Sequence, residues 1–217
     1  MDPNHPTEFD LSAARSFPLS PRAQRYLPFK RFFDLFFAVI ILLVAAIPCG
    51  GIVLLIMTTS RGPAVFSQKR IGRNGHPFSC YKFRTMYADA PKYCATPDFQ
   101  EAEKYITPIG KILRKTSLDE LPQLINVLKG DMSFIGPRPL IPEEKDIHEE
   151  RLKRGIYTIR PGISGLAQIN GRDRVDAETK VAFDEQYLRD LSLLIDVKIV
   201  FGTFFGVLTG NDIVEGK

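Results

Sequence analysis

The feature that most constrains this chain is an uncharged apolar run of 23 residues, from Leu35 to Met57. As an α-helix the run would be about 35 Å long, which is enough to cross a hydrocarbon core of about 30 Å. Pro48 lies within the run and is followed by Gly50 and Gly51. Because proline removes one helical hydrogen bond and crowds the preceding turn, the sequence predicts a bend at Pro48.

Both flanks of the apolar run are positively charged. The cations are Arg22, Arg25, Lys30 and Arg31 before it, and Arg61, Lys69, Arg70 and Arg73 after it. The positive-inside rule would place both flanks on one side of a membrane. A helix that bends at Pro48 and returns to the same face satisfies this rule; a kinked spanning helix is the alternative, and sequence physics alone leaves both open. Asp34 is expected at the interface, paired with Lys30 or Arg31, because a carboxylate deep in lipid is costly.

A β-hairpin is predicted directly after the apolar run. Two β-prone segments, Val65–Ile71 and Pro77–Phe83, flank a turn that contains Asn74-Gly75, which is a strong hairpin signal. Lys82 and Arg84 are two residues apart and would share one face of an extended strand. The residues alone do not decide between a solvated basic strand and an anion-binding face.

The rest of the chain alternates between short helical patterns and loops. Residues 1–29 carry five prolines and no periodicity, so an irregular arm is predicted. Residues 87–107 also lack a period and are predicted to be a loop. The helical patterns cover residues 109–115, 142–155, 176–188 and 191–208. The last of these is apolar around much of its circumference, which is typical of an interfacial helix or of a core helix.

Two adjacent carboxylates, Asp119 and Glu120, stand just before a helical pattern and lie among basic residues. One interpretation is a capping box, in which Ser117 and Glu120 only satisfy free backbone N–H groups. Pro122 argues against it, because a helix capped by Ser117 would place proline too far inside. A helix that starts nearer Asp119 keeps Pro122 in the first turn and leaves both acids at its mouth, where they suit chemistry on a metal-bound phosphate.

A stiff, proline-rich segment follows the acidic pair, at Gly136-Pro137-Arg138-Pro139. Two prolines fix the backbone on either side of Arg138, and such a frame suits bidentate binding of phosphate by the guanidinium group. An ordinary proline-rich turn is the alternative.

Composition narrows the class of protein further. The formal net charge of +4 permits an anionic partner without naming it. The three cysteines and three histidines are scattered and show no zinc-ligand spacing, which indicates a reducing compartment and structural or exposed histidines. Aromatic residues are not interleaved with the basic ones, so a nucleic-acid partner is not expected.

Four blocks along the chain resemble the bacterial sugar transferases of the monotopic phosphoglycosyl transferase superfamily. They are KRFFD at 30–34, KFRTM at 82–86, RKTSLDELPQLINVLKGDMSFIGPRP at 114–139 and RPGISGLAQINGR at 160–172. Long blocks in this order make the resemblance specific, and it extends over roughly residues 30–208. The chain lacks the additional spanning helices and extra domain of larger members, so a minimal catalytic form is expected.

The resemblance implies an α+β, mostly helical fold. A re-entrant membrane helix, a small β-hairpin and amphipathic interfacial helices would surround a cytosolic active site. The expected organisation is an irregular arm over residues 1–29, the re-entrant helix over 30–59 and a catalytic domain over 60–217. The expected location is the bacterial inner membrane, with a monotopic attachment and the active site facing the cytoplasm. The sequence does not decide whether the protein forms a homo-oligomer.

The resemblance also implies a reaction. A sugar phosphate would pass from a UDP-sugar to polyprenol phosphate, giving a polyprenyl-diphosphate-linked sugar and UMP, as the first membrane step of glycoconjugate assembly. Asp119 matches the family nucleophile that forms a covalent aspartyl-phosphosugar, and Glu120 would assist the second half. Mg²⁺ is the implied cofactor, with Asp119 as its candidate ligand. The other candidates, for binding phosphate or nucleotide, are Arg114, Arg138, Lys82 and Arg84.

Two further functions are compatible with the charge and the acids. One is a membrane-anchored basic binding module that recruits an anionic partner, and the other is a nucleotide-sugar pyrophosphatase that uses the same acids. The sequence does not name the sugar.

Overall fold

The computed structural model describes residues 17–90, 103–171 and 175–209, and over these residues helices predominate. The helices are α1 (Pro21–Thr59), α2 (Pro108–Lys115), α3 (Gln123–Lys129), α4 (Lys145–Lys153), α5 (Leu166–Ile169), α6 (Ala177–Arg189) and α7 (Leu193–Thr209). The strands are β1 (Val65–Ile71), β2 (Pro77–Phe83), β3 (Ser133–Ile135) and β4 (Gly162–Ser164). The predicted mostly helical α+β composition is confirmed.

Helix α1 begins earlier than predicted. It starts at Pro21, so residues 21–29 are helical and not part of an irregular arm. Ser20 is the N-cap residue, and its hydroxyl accepts a hydrogen bond from the Ala23 N–H at 3.2 Å. Proline at the first helical position costs little because its missing N–H would have had no helical partner. Residues 1–16 of the predicted arm lie outside the described residues.

Helix α1 is not divided at Pro48 into the two arms expected of a re-entrant hairpin. The helix continues through Pro48 as one element of 39 residues, with no turn that separates two arms. By length and composition α1 is the one helix among the described residues that is able to cross a membrane. A re-entrant path therefore stays a prediction.

One stripe of α1 packs on the rest of the protein along almost its whole length. Its buried residues are Ala23, Lys30, Asp34, Ala38, Ala45, Ile52 and Ile56, which recur at intervals of four and seven and so lie on one face. Ala23 contacts a core cluster with β3, α6 and α7; Ala38 contacts one with α3; Ile52 and Ile56 contact one with α2 and β2. Both ends of α1 therefore contact the same body.

On both α1 and α7, the face turned away from the packed side is apolar and exposed. On α1 the most exposed residues include Leu43, Val44 and Ile47, the last with 88% of its surface accessible. On α7 they include Leu194 and Phe201. A continuous exposed apolar surface is typical of a membrane or partner contact. It fits the interpretation of residues 191–208 as an interfacial helix.

Polar contacts join α1 to α7, β3 and α3, and they correct the expected pairing of Asp34. Lys30 forms its ion pair with Asp196 of α7, at 2.6 Å. Asp34 instead accepts hydrogen bonds from the Ser133 hydroxyl at 3.0 Å and the Phe134 N–H at 3.1 Å. Arg31 donates to the Val127 carbonyl at 2.7 Å, at the end of α3. The charges at the edge of the apolar run therefore dock α1 on the protein.

The hairpin forms as predicted. Strands β1 and β2 pair antiparallel, with Val65 opposite Phe83 and Ile71 opposite Pro77. Asn74 adopts a left-handed φ of 55°, which asparagine tolerates better than most residues. Strands β3 and β4 form a second, parallel pair. The segment after β3 lies beside the hairpin, because the Ile71 N–H at the end of β1 donates to the Leu140 carbonyl at 2.9 Å.

Candidate active site

The acidic pair lies on a tight turn between α2 and α3. Asp119 and Glu120 belong to a 3₁₀ turn over Leu118–Glu120, and Pro122 immediately precedes α3. Ser117 has a left-handed φ of 56°, and its side chain makes no capping hydrogen bond. The capping-box interpretation is therefore wrong. The acids precede α3 as predicted, but Pro122 is the N-cap residue of α3 and does not lie in its first turn as expected. A non-glycine residue in the conformation of Ser117 stores about 1 kcal/mol or more of strain beside the acids.

Lys82 of β2 contacts both acids. Its ammonium group lies 2.7 Å from Glu120 Oε1 and 4.0 Å from Asp119 Oδ2. The Asp119 side chain is 12% exposed and that of Glu120 is 22% exposed. In such a partly buried site the ammonium group stabilises two adjacent carboxylates that would otherwise repel each other.

A small open cleft lies beside this ion pair. Its lining residues are Arg70, Cys80, Lys82, Glu120, Gln123, Arg138, Pro139, Gly162 and Ile163. Burial, and next the nearby charge of Arg138, lower the pKa of Arg70. Three cationic side chains therefore face one small volume together with a carboxylate, which is an arrangement suited to a polyanion.

The other two predicted basic residues lie away from the lining of this cleft. Arg114 is in the last turn of α2, and its Nε donates to the Thr85 hydroxyl at 2.9 Å. Arg84 is buried at the end of α1, where its Nη2 donates to the Ser60 carbonyl and the Ser60 hydroxyl, both at 2.8 Å. Arg84 thus binds the C-terminal end of a helix, and its position favours a structural role over the expected binding of phosphate.

Among the lining residues that were not sequence candidates, three have polar or ionisable side chains: Arg70, Cys80 and Gln123. Arg70 and Cys80 could have been found from the hairpin register. Gln68 lies opposite Cys80 and Phe66 opposite Lys82, so Arg70 shares its face with Cys80 and Lys82. Burial raises the pKa of the Cys80 thiol, which argues against a role as nucleophile.

The acids suit a metal that arrives with a phosphate ligand. Among the described residues there is no group of three or more His, Cys, Asp or Glu side chains that could hold a metal ion. Mg²⁺ is commonly bound by one or two carboxylates together with substrate phosphates and water. Asp119 and Glu120 fit that donor set.

Comparison of the sequence with protein-family models identifies the family of this chain. The family model described as bacterial sugar transferase matches residues 25–210. This match covers most of the chain, and the chain belongs to the bacterial sugar transferase family.

Individual relatives carry more specific names. An undecaprenyl-phosphate galactose phosphotransferase of Salmonella typhimurium is 38% identical over 199 residues, covering 85% of this chain and 41% of the relative. An undecaprenyl-phosphate glucose phosphotransferase of Komagataeibacter xylinus is 40% identical, over 80% of this chain and 35% of the relative. The exopolysaccharide production protein ExoY of Sinorhizobium fredii is 39% identical, over 80% and 83%.

These relatives differ in length and in the sugar that their names give. The chain spans less than half the length of the galactose and glucose phosphotransferases but most of the length of ExoY. The two phosphotransferases are similarly distant from this chain, at 38% and 40% identity. Overall similarity at this level therefore does not define the sugar.

Proposed function

We propose that this protein transfers a sugar phosphate from a UDP-sugar to polyprenol phosphate at a membrane surface and releases UMP. The observation that carries the proposal is the cleft in which Arg70, Lys82 and Arg138 surround Glu120, with Asp119 beside it. A diphosphate needs cations, and a displacement at phosphorus needs a nucleophile within reach of them. The relatives named for undecaprenyl phosphate support the choice of lipid.

The proposed reaction has two displacements at the same phosphorus. A carboxylate oxygen of Asp119 attacks the sugar-bearing phosphorus, and the bond from that phosphorus to the bridging oxygen breaks, so that UMP leaves. An oxygen of polyprenol phosphate then attacks the aspartyl-phosphosugar, and the Asp119 carboxylate is the leaving group. Each step exchanges one phosphorus–oxygen bond for another, so a difficult displacement is divided into two easier ones.

Each of the other acidic and basic side chains has a role in this scheme. Glu120 takes the proton of the acceptor phosphate, and Lys82 holds Glu120 in place at 2.7 Å. Arg138 and Arg70, which line the cleft, bind the diphosphate. Arg114, which lies outside the lining in the last turn of α2, holds phosphate from the end of the helix that leads into the acid turn. Mg²⁺ held by Asp119 and the substrate oxygens would neutralise the diphosphate and stabilise the leaving group.

The membrane side of the proposal rests on α1. A helix whose two ends dock on one body, with its apolar face turned outward, fits one that enters and leaves by the same leaflet. This monotopic attachment would hold the acids close to the headgroups, where a lipid acceptor and a soluble donor meet. In a bacterium the corresponding location is the cytoplasmic face of the inner membrane.

A screen of nucleotide sugars with polyprenol phosphate, followed by nucleoside monophosphate release, tests the proposal. We expect one or a few UDP-sugars to give UMP together with a lipid-linked sugar diphosphate. Monophosphate release accompanied by free sugar phosphate and independent of lipid would instead identify a pyrophosphatase. The absence of turnover with every donor would favour a binding module.

A further inference from the structure

We infer that the buried ion pair between Arg151 of α4 and Asp184 of α6 positions Arg138, and that it thereby sets the affinity of the cleft for a diphosphate. Neither residue was a sequence candidate, and neither lines the cleft. The inference rests on the proposed function in one respect, because it takes the diphosphate as the anion that Arg138 binds.

The backbone around Arg138 is held at every carbonyl group. Over residues 137–141 each carbonyl accepts a hydrogen bond from a different donor. The donors, in order, are the Gly162 N–H at 2.9 Å, Arg151 Nη1 at 2.7 Å, Arg70 Nη1 at 3.1 Å, the Ile71 N–H at 2.9 Å and His148 Nε2 at 2.8 Å. Two of these residues, Pro137 and Pro139, also have a fixed φ. The segment therefore has little freedom to move Arg138.

Arg151 is the donor that acts on Arg138 itself. Its Nη1 donates to the Arg138 carbonyl, while its Nη2 donates to Asp184 Oδ2 at 2.5 Å. Asp184 thus aims the guanidinium group, and the guanidinium group fixes the peptide from which the Arg138 side chain extends. Because Arg151 donates to the main-chain carbonyl of Arg138 and does not line the cleft, its effect on a ligand must pass through the placement of Arg138.

This pair is not a good source of stability. The side chains of Arg151 and Asp184 are 4% and 1% exposed, and buried ion pairs often recover no more than their cost of desolvation. Arg151 Nε, moreover, has no hydrogen-bond partner among the described residues. A nearly dry pair with one unsatisfied donor is better explained by the geometry that it imposes on Arg138.

The same two helices provide a matched control. Arg154, the residue that caps the C-terminal end of α4, and Glu185 of α6 form an ion pair at 2.8 Å, and their side chains are 28% and 46% exposed. Within the part of the chain that the structure describes, Arg154 contacts Glu185 and Glu150 and makes no hydrogen bond to residues 137–141. Arg154→Gln therefore weakens the link between α4 and α6 without releasing the Arg138 carbonyl.

The experiment measures UDP binding by calorimetry to the full chain in detergent, with Asp119→Asn present throughout to prevent turnover. Arg151→Lys and Asp184→Asn should each weaken UDP binding about tenfold or more, the value of one charge-assisted hydrogen bond. Arg154→Gln should leave the affinity within about twofold of the parent, because exposed ion pairs contribute little. Thermal unfolding of each variant verifies that it is folded.

A double-mutant cycle separates positioning from general destabilisation. In an Arg138→Lys background, Arg151→Lys should cause little further loss of UDP affinity, because the guanidinium group that Arg151 positions is already absent. Full additivity of the two losses, an unchanged affinity in Arg151→Lys, or a parent that binds no UDP would each overturn the inference. UDP binding that shows the expected coupling, in a protein that turns over no UDP-sugar, would refute the proposed function and leave the positioning role intact.

Discussion

At the scale of single residues, Lys82 is the link between the hairpin and the acids. It extends from β2 to both Asp119 and Glu120. A lysine is a compact charge with three donors, so it is able to hold one carboxylate and still attract the next. We therefore assign Lys82 to the geometry of the acids as well as to the binding of phosphate.

Removal of this ammonium group should impair turnover more than folding. Lys82→Met keeps most of the aliphatic chain but leaves Glu120 without its partner at 2.7 Å. We expect kcat/KM for the nucleotide sugar to fall by about tenfold or more, since bonds between charged groups contribute about 1.5–3 kcal/mol. Lys69→Met is the control, because Lys69 is an exposed residue on the other face of the hairpin. Equal kinetics in the two variants would remove Lys82 from the site.

His148 makes the segment beside Arg138 sensitive to acid. Its ring bonds the Ile141 carbonyl and the Tyr157 hydroxyl. Burial, together with the charge of Arg151, lowers the pKa of His148. The unfolded chain therefore takes up a proton at a higher pH than the folded protein does. Stability is fully present above the unfolded pKa and is lost as the pH falls towards the folded one.

Denaturant unfolding in detergent between pH 7.5 and 5 measures this effect, with the pH range chosen around the ordinary histidine pKa of about 6.5. Wild-type stability should fall below about pH 6.5, by at most about 1.4 kcal/mol per pH unit for one proton. His148→Gln, which retains an amide donor for Ile141, should lose part of that slope. His76→Gln alters an exposed residue of the hairpin loop and should retain it. An unchanged slope in His148→Gln would contradict the assignment.

At the scale of elements, local chemistry explains what could be predicted from the sequence. The hairpin matches to the residue because Asn74-Gly75 supplies the turn and the flanking runs supply the strands. The acids precede α3 because Pro122 disfavours a helix capped by Ser117, and the helix starts just after the proline. The start of α1 was missed although its signal was present, as Ser20-Pro21 is a common beginning of a helix.

Contacts between distant parts of the chain explain what could not be predicted. Lys30 forms its ion pair with Asp196, which is 166 residues away in the sequence, and not with the neighbouring Asp34. Strands β3 and β4 have three residues each, too few for an alternating pattern to identify them. Arg151 and Asp184 appear in the sequence as ordinary members of charged helices, and only packing brings them to the Arg138 carbonyl. Of the predicted loop over 87–107, residues 91–102 lie outside the described part of the chain.

The topology of α1 is a prediction that belongs to the same scale. Single cysteines at Arg25 and Arg61, in a background without Cys49, Cys80 and Cys94, should both be shielded from an impermeant thiol reagent in intact cells. The expectation follows from the docking of both ends of α1 on one body and from the basic flanks. Both cysteines should react after the membrane is permeabilised. Labelling of one position alone in intact cells would mean that α1 spans the membrane.

At the scale of the whole molecule, the parts combine into one arrangement. The docked stripe of α1 fixes an apolar surface beside a domain whose hairpin, acid turn and proline-framed segment meet at one cleft. Family membership defines the class of protein. The central claim beyond that class is that the protein works in two steps, with Asp119 carrying the sugar phosphate between donor and acceptor.

A single-turnover experiment without lipid acceptor tests this claim most directly. Two displacements predict that UMP is released from the UDP-sugar up to at most one equivalent per enzyme, and that intact-protein mass spectrometry finds one added sugar phosphate on the peptide containing Asp119. Asp119→Asn should lose both signals because an amide cannot serve as the attacking carboxylate. Glu120→Gln should slow steady turnover and still give part of the burst. A burst that survives in Asp119→Asn, a label on another residue, or a strict need for the lipid before any UMP appears would contradict the account.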